Sequence, residues 1–353
     1  MLEREEVVSK RPDDGAFYQQ RLPAWKPIIN IHSTVPVFGV LGIFLVPIGL
    51  LLITTAGSVK EMRLDYSECN GCETKSYTED CYCTVDFNLD TKFSGSQVMM
   101  YYGLERFYQN HRKYATSRSD YQLRGNPLNP DDNCEPYESD LDSKKVFAPC
   151  GLIANSMFND TFDLEWLSQT HKNGSILDVN KKINFTQEGI AWESDHGNKF
   201  KNPAGNDLVA SFNGTVKPPS WSKAPYELDP GNPSNNAFLN EPFIVWMRVA
   251  AFPTFRKLYS RITMELNPEL SNGLESGSYR LKVNYRYPVL YYHSKKFFVL
   301  STTSIFGAKN LMIGIVYLVV GSLLLVLATA FAFIAKKDII PHPKIKIDFT
   351  PIS

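Results

Sequence analysis

Four cysteines fall within fifteen residues, as Cys69-x2-Cys72 and Cys81-x-Cys83. Four thiolates at this spacing can close a tetrahedral shell around zinc. They can also pair as two disulfides, which form and persist in oxidising compartments. With Cys134 and Cys150 the total is six, an even number that suits complete pairing. Cys69–Cys83 nested around Cys72–Cys81 suits a hairpin, although spacing leaves the other two connectivities of these four open. Cys134–Cys150 then follows by elimination. Each bridge contributes on the order of 2–4 kcal/mol to a loop-rich domain.

Four sequons lie in one stretch: Asn159-Asp-Thr161, Asn173-Gly-Ser175, Asn184-Phe-Thr186 and Asn213-Gly-Thr215. Asn232-Pro-Ser234 is excluded by its proline. One sequon is often chance. Four together point to a glycosylated, solvent-exposed side of a secretory-pathway domain, and that compartment favours disulfides over zinc. Catalytic motifs are absent: the chain has no G-x-S-x-G, no H-E-x-x-H and no P-loop. Asn110-His111-Arg112 looks chemical, but a structural or interface histidine is the commoner case. No residue is assigned a catalytic, cofactor-binding or metal role, and no cofactor is expected.

The elements between these residues read mainly as strands. Tyr279, Leu281, Val283, Tyr285 and Tyr287 alternate with Arg280, Lys282, Asn284 and Arg286, which predicts a half-buried strand ending at Pro288. Lys296–Thr303, Thr84–Leu89 and Val98–Tyr102 are further strand candidates. Phe255, Leu258, Tyr259 and Ile262 follow Pro253-Thr254 at helical spacing and predict a capped helix. Turn-rich segments such as Asn126–Pro136 and Lys217–Asn236 separate them. Together these predict an antiparallel β-sandwich with irregular insertions and a few short helices.

Two apolar stretches bracket this domain. No charged residue occurs from Ser33 to Val59 or from Leu311 to Ala335. Each is long enough to cross a ~30 Å hydrocarbon core as a helix. The first comes too late to be a signal peptide and reads as a retained anchor. Lys336 and Lys337 after the second span, with Arg11, Arg21 and Lys26 before the first, place both termini in the cytosol. Lys60, Arg63 and Lys309 on the other side weaken that rule, and the sequons and cysteines decide it. The expected organisation is a cytosolic tail 1–33, a span 34–57, an exoplasmic domain 58–309, a span 310–335 and a cytosolic tail 336–353. The spans carry no ionisable group, unlike a transport pathway, and two helices cannot enclose one. Gly314 and Gly321 share one face, with Gly39, Gly42 and Gly49 in the first span; glycine is common in membrane helices, and the sharper reading is that the pair of spans docks on another membrane protein. Lys plus Arg and Asp plus Glu number 37 each, interspersed, so no basic patch suggests nucleic acid.

Longer motifs carry a resemblance. Arg11-Pro-Asp…Ala16-Phe…Gln19-Gln-Arg-Leu-Pro-Ala-Trp25-Lys-Pro27 precedes the first span. Tyr101-Tyr-Gly-Leu, Phe107-Tyr-Gln-Asn-His-Arg112, Cys134-Glu-Pro-Tyr137, Pro149-Cys-Gly-Leu-Ile-Ala-Asn-Ser-Met-Phe-Asn-Asp160, Gly189-Ile-Ala-Trp192, Phe243-Ile-Val-Trp-Met-Arg248 and Pro253-Thr-Phe-Arg-Lys-Leu-Tyr259 follow in order. From about Arg11 to about Ala335 the chain resembles the Cdc-fifty/Lem-three family, accessory β-subunits of the type IV P-type ATPases that flip phospholipids. The chain departs from the family at Asp86-Phe-Asn88 and Lys282-Val-Asn284, where sequons are frequent, and at Ala308 within Gly307-Ala-Lys-Asn310.

The resemblance implies a non-catalytic subunit rather than an enzyme. It implies binding to the ATPase catalytic subunit as a heterodimer, exit of that subunit from the endoplasmic reticulum, and support of aminophospholipid translocation to the cytosolic leaflet. It implies the pairs Cys69–Cys83, Cys72–Cys81 and Cys134–Cys150, and residence in the endoplasmic reticulum, Golgi or secretory vesicles and plasma membrane. In the cytosolic tail Arg21, Leu22, Pro23 and Trp25 are the expected partner contacts. Pro23 and Pro27 keep that segment extended. Its other use is at the membrane lipids, with Trp25 in the aromatic belt and Arg21 on phosphate. The alternatives from other classes are a membrane-anchored luminal enzyme and an adhesion-type domain. The missing catalytic constellation disfavours the first and the motif-rich tail the second.

Overall fold

The computed structural model describes residues 13–23, 30–74, 80–95, 97–172, 175–205, 207–270 and 273–338. They form two units, a helical one at the chain's two ends and a β domain over Thr54–Leu311. Three helices enter the argument: the long α1 (Ile31–Gly57) and α3 (Leu311–Asp338), and the short α2 (Glu241–Met247) within the β domain.

Eight principal strands build the β domain: β1 (Glu61–Asp65), β2 (Tyr82–Leu89), β3 (Gln97–Leu104), β4 (Thr161–Lys172), β5 (Ser175–Ile183), β6 (Phe255–Thr263), β7 (Gly277–Asn284) and β8 (Lys296–Thr302). They pair antiparallel into two four-stranded sheets, β1-β8-β3-β6 and β2-β7-β4-β5. β7 follows its alternation: Tyr279, Leu281 and Val283 are buried, while Arg280 reaches Asp86 of β2 with bonds of 2.7 and 2.8 Å. Its continuation keeps Tyr285 and Tyr287 buried beyond the strand end. β8 lies between two neighbours and is buried at every position, as a strand covered on both faces must be.

The sheets meet around Phe162 of β4. Its ring lies 4.8 Å from Tyr259 of β6 and 5.3 Å from Phe298 of β8, both in the opposite sheet. Tyr66 and Phe158 close the cluster at 5.6 and 6.3 Å. Cys69–Cys83 ties the chain beyond β1 in one sheet to β2 in the other, with Cys72–Cys81 inside it.

The segment 255–263 is a strand, which corrects the helix expected there. The register with β3 shifts between Met100 and Tyr101: Met100 faces Ser260 and Tyr101 faces Leu258, so Tyr259 is left over as a bulge. One extra residue moves the inward phase by one, so Lys257, Ser260 and Ile262 are the buried positions. A strand with a phase slip imitates helical spacing.

The irregular half is held by side chains in place of ladders. Asn236 Oδ1 accepts from Asp229 and Ala237 N–H, and Asn235 Oδ1 accepts from Glu241 N–H. The Glu241 carboxylate accepts from Gly189, Ile190 and Ala191 N–H at 2.6–2.7 Å. Lys257 donates to the carbonyls of Val245, Trp246 and Arg248, which satisfies the C-terminus of α2. Gly151 has φ +95°, and a Cβ there would meet Ser117 O at 2.3 Å, so the Pro149-Cys-Gly motif needs its glycine.

At the centre sits a buried ion pair. Lys296 Nζ donates to Asp160 Oδ2 at 2.6 Å, and neither side chain is exposed. Asp160 also accepts from Tyr66 Oη at 3.0 Å and from Arg286 and Tyr287 N–H at 2.7 Å each. Lys296 donates further to Tyr287 O at 2.7 Å. Burial pulls the Lys296 ammonium down to about 8, against the upward pull of Asp160. Lys296→Met leaves the carboxylate buried without its cation and is expected to cost about 3–5 kcal/mol. The expected readout is a large fall in thermal midpoint, partly recovered by Lys296→Met with Asp160→Asn. A single variant that melts like wild type would contradict the pair's central place.

Candidate functional site

A catalytic site needs chemical groups free to react, and the buried charges among the described residues are occupied. Asp160 is saturated by four donors. Asp195 is held by Arg248 at 2.6 Å and Lys199 at 2.8 Å, with Arg248 stacked 4.7 Å from the Trp192 ring, and these partners hold its carboxyl below the usual range. His111 stands exposed before a one-turn helix and caps nothing with its side chain. Among the described residues no three His, Cys, Asp or Glu side chains converge as metal ligands. All six cysteines are paired: Cys69–Cys83, Cys72–Cys81 and Cys134–Cys150, with Cα separations of 5.8, 5.6 and 5.6 Å. The four thiols a zinc shell would need are therefore not free.

The sequons do not share one environment. Asn213 is exposed beyond a short helix. Asn184 is exposed and its Nδ2 donates to Leu266 O at 3.3 Å. Asn159 is half-buried beside a cleft of about 220 Å³, its Oδ1 enclosed without a hydrogen-bond partner. Asn173 lies outside the described residues.

In the tail, Gly15–Gln20 forms a tight turn closed by Gln19 N–H to Gly15 O and Arg21 N–H to Ala16 O. Arg21–Leu22–Pro23 leaves it without helical or strand structure. Arg21 donates to Asp14 Oδ1 at 2.6 Å and Asp14 O at 2.9 Å. Both partners of this ion pair are exposed, so it contributes little and yields readily to another anion. Phe17, Tyr18 and Leu22 are exposed beside Arg21. Phe17 and Tyr18 were not among the sequence candidates, although two adjacent aromatics in a polar tail are a readable sign. Trp25 lies outside the described residues.

The spans are α1 and α3, both long and apolar enough to cross a membrane. Four of their glycines line the contact between the two helices. A Cβ on Gly42 would approach Gly321 O at 2.9 Å, and one on Gly49 would approach Leu318 N at 2.8 Å. A Cβ on Gly314 would meet Ile53 N at 3.0 Å, and one on Gly321 would meet Val46 N at 3.0 Å. Small residues seven apart on each helix let the two backbones touch. Gly39 alone of these has nothing within 4 Å.

A sequence model described as the LEM3 (ligand-effect modulator 3) family / CDC50 family matches residues 52–338. The chain is 44% identical over 339 residues to Cell cycle control protein 50A of Mus musculus, covering 93% of this chain and 90% of that protein. It is 40% identical over 328 residues to Cell cycle control protein 50B of Homo sapiens, covering 89% and 90%. It is 38% identical over 336 residues to ALA-interacting subunit 3 of Arabidopsis thaliana, covering 92% and 86%.

Gly314→Leu or Gly49→Leu is expected to destabilise the full chain in micelles by about 1–3 kcal/mol through overpacking. Gly39→Leu should leave the melting curve in place. Equal effects at Gly39 and Gly314 would show that the seam is not where the two spans meet.

Proposed function

We propose, since this chain belongs to the LEM3/CDC50 family, that it is the non-catalytic accessory subunit of a type IV P-type ATPase that moves phospholipid. The observation that carries the reading is the extent of the match, which takes in the β domain and the second span without a break. The plant relative's name is itself that of an interacting subunit. The chemistry agrees: the buried charges described above hold the fold, and the spans carry no ionisable group from Ser33 to Val59 or Leu311 to Ala335.

In this reading the chain binds the ATPase as a heterodimer and enables its exit from the endoplasmic reticulum. It then supports aminophospholipid translocation to the cytosolic leaflet. Both termini lie in the cytosol, and the β domain is exoplasmic, with Asn159, Asn173, Asn184 and Asn213 as glycan acceptors. The complex works at the Golgi or secretory vesicles and the plasma membrane. The chain alone lacks any nucleotide-binding motif, so hydrolysis and transport belong to the partner.

Affinity purification of the tagged full chain is expected to bring down a P-type ATPase polypeptide. The purified chain alone in liposomes should neither hydrolyse ATP nor move labelled lipid. Unaided lipid movement would refute the accessory role.

The cytosolic tail supplies a second test. The Arg21 side chain is held by the exposed Asp14, through its carboxylate and its carbonyl, an exposed pairing that a partner's anion can replace. Arg21→Ala with Trp25→Ala should weaken complex formation about tenfold, or ~1.4 kcal/mol, with the β domain still folded. If the double variant is exported, binds its ATPase and supports transport at wild-type levels, the segment serves only the membrane.

A further inference from the structure

The two chain passages between β domain and spans are brought together by one strand pair. Three residues separate α1 from β1, and eight separate β8 from α3. Glu61 faces Ser301 across the ladder. Thr302 N–H donates to Lys60 O at 2.9 Å, and Lys60 N–H donates to Thr302 Oγ1 at 3.0 Å. This end of the sheet is therefore the one from which the chain runs into both long apolar helices.

Immediately past it stands a small rigid turn. Ser304 and Gly307 exchange backbone hydrogen bonds of 2.8 and 2.9 Å. Ser304 Oγ donates to Gly307 O at 3.0 Å and accepts from Phe306 N–H at 3.2 Å. Gly307 has φ +95°, a conformation that suits glycine. The tip of the turn is Ile305-Phe306. Ile305 is 95% exposed, the highest of any large apolar side chain among the described residues, and Phe306 is 58% exposed. The turn's own hydrogen bonds thus hold its apolar tip in the exposed position.

We propose that Ile305 and Phe306 insert into the acyl–headgroup boundary of the leaflet that the second span enters, and so pin the sheet end to the bilayer surface. Three observations favour lipid as the occupant. Phe306 is five residues from Leu311, the first residue of α3, a reach of at most ~18 Å. The segment from Thr302 to Leu311 contains no acidic residue, so nothing in it repels lipid phosphate. It does contain Lys309, exposed and between the apolar tip and the span in sequence, a cation able to meet lipid phosphates. The inference rests on the chain spanning the membrane and not on any partner or on transport.

The test is photo-crosslinking of the full chain in cell membranes, with benzoylphenylalanine placed singly at Ile305, Phe306 or Tyr108. Tyr108 is also exposed, but it follows β3 past Leu104, and β3 pairs with β8 so that Val98 faces Thr302 and Leu104 faces Lys296. Tyr108 thus marks the opposite end of the sheet. Lipid adducts at 305 and 306 should exceed those at 108 at least fivefold. Adducts at 305 and 306 to another polypeptide, or lipid yields equal to that at 108, would overturn the proposal. Phe306→Trp gives a second reading should the bulkier group impair folding. Its emission in vesicles of brominated phosphatidylcholine should fall at least twofold relative to unbrominated vesicles, against no change for Tyr108→Trp. A Phe306→Trp variant whose emission stays unquenched would likewise overturn it.

Discussion

The buried Lys296–Asp160 pair is the constraint on which the domain's arrangement turns. Lys296 opens β8 in one sheet, and Asp160 precedes β4 in the other. The same carboxylate holds the backbone of Arg286 and Tyr287 beyond β7 and the hydroxyl of Tyr66 beyond β1. Four chain segments thus meet on one anion. A buried ion pair is weak evidence for net stability, because desolvation consumes much of its attraction. Its use here is specificity: a sandwich whose sheets slipped by one residue would leave both charges buried and alone. Burial lowers the lysine toward about 8 and raises the Tyr66 phenol, so both groups are expensive to ionise without partners.

The sequence carried the fold class and four of the eight principal strands, two in each sheet, because alternation over Tyr279–Tyr287 and the apolar run at Phe297–Leu300 are strong local signals. It failed at Phe255–Thr263, where the bulge at Tyr259 breaks the period of two. It also passed over the longest strand pair. Asn173-Gly174 was read only as a sequon, although Asn-Gly between two β-rich runs is a strong hairpin signal, and Lys172 pairs with Ser175 across it. The irregular half was legible only as turn-rich. Its order comes from Asn235, Asn236, Asn240 and Glu241 bonding backbone groups up to about fifty residues away. No local pattern announces such long-range partners.

Site residues divide in the same way. The cysteine connectivity was left open by spacing, and it depends on where β1 and β2 place their flanking chain. Glycines in the spans were visible, but their mutual contact was not. Helical spacing shows that Gly42 and Gly49 share a face, and only tertiary structure shows that Gly314 and Gly321 fill that face. The exposed Ile305-Phe306 tip was hidden because two apolar residues in a short connection carry no periodicity. The turn that separates it depends on backbone bonds between Ser304 and Gly307.

Closure of the domain is a demanding step for such a chain. Lys60 and Thr302 are 242 residues apart and hydrogen-bond at the sheet end. Bringing such ends together costs about 5 kcal/mol of loop entropy on a (3/2)RT ln n basis. The cost is borne before β1 and β8 can pair, and non-local pairing of this kind makes folding slow. Cys69–Cys83 and Cys72–Cys81 lie just beyond β1 and link it to β2, so they couple the first strand to the second sheet before β8 arrives. β8 then enters between β1 and β3, buries Lys296 against Asp160, and completes the core with Phe298 on Phe162. The last strand to emerge is therefore the one that joins the sheets, and the domain cannot be complete until the chain is about to re-enter the membrane.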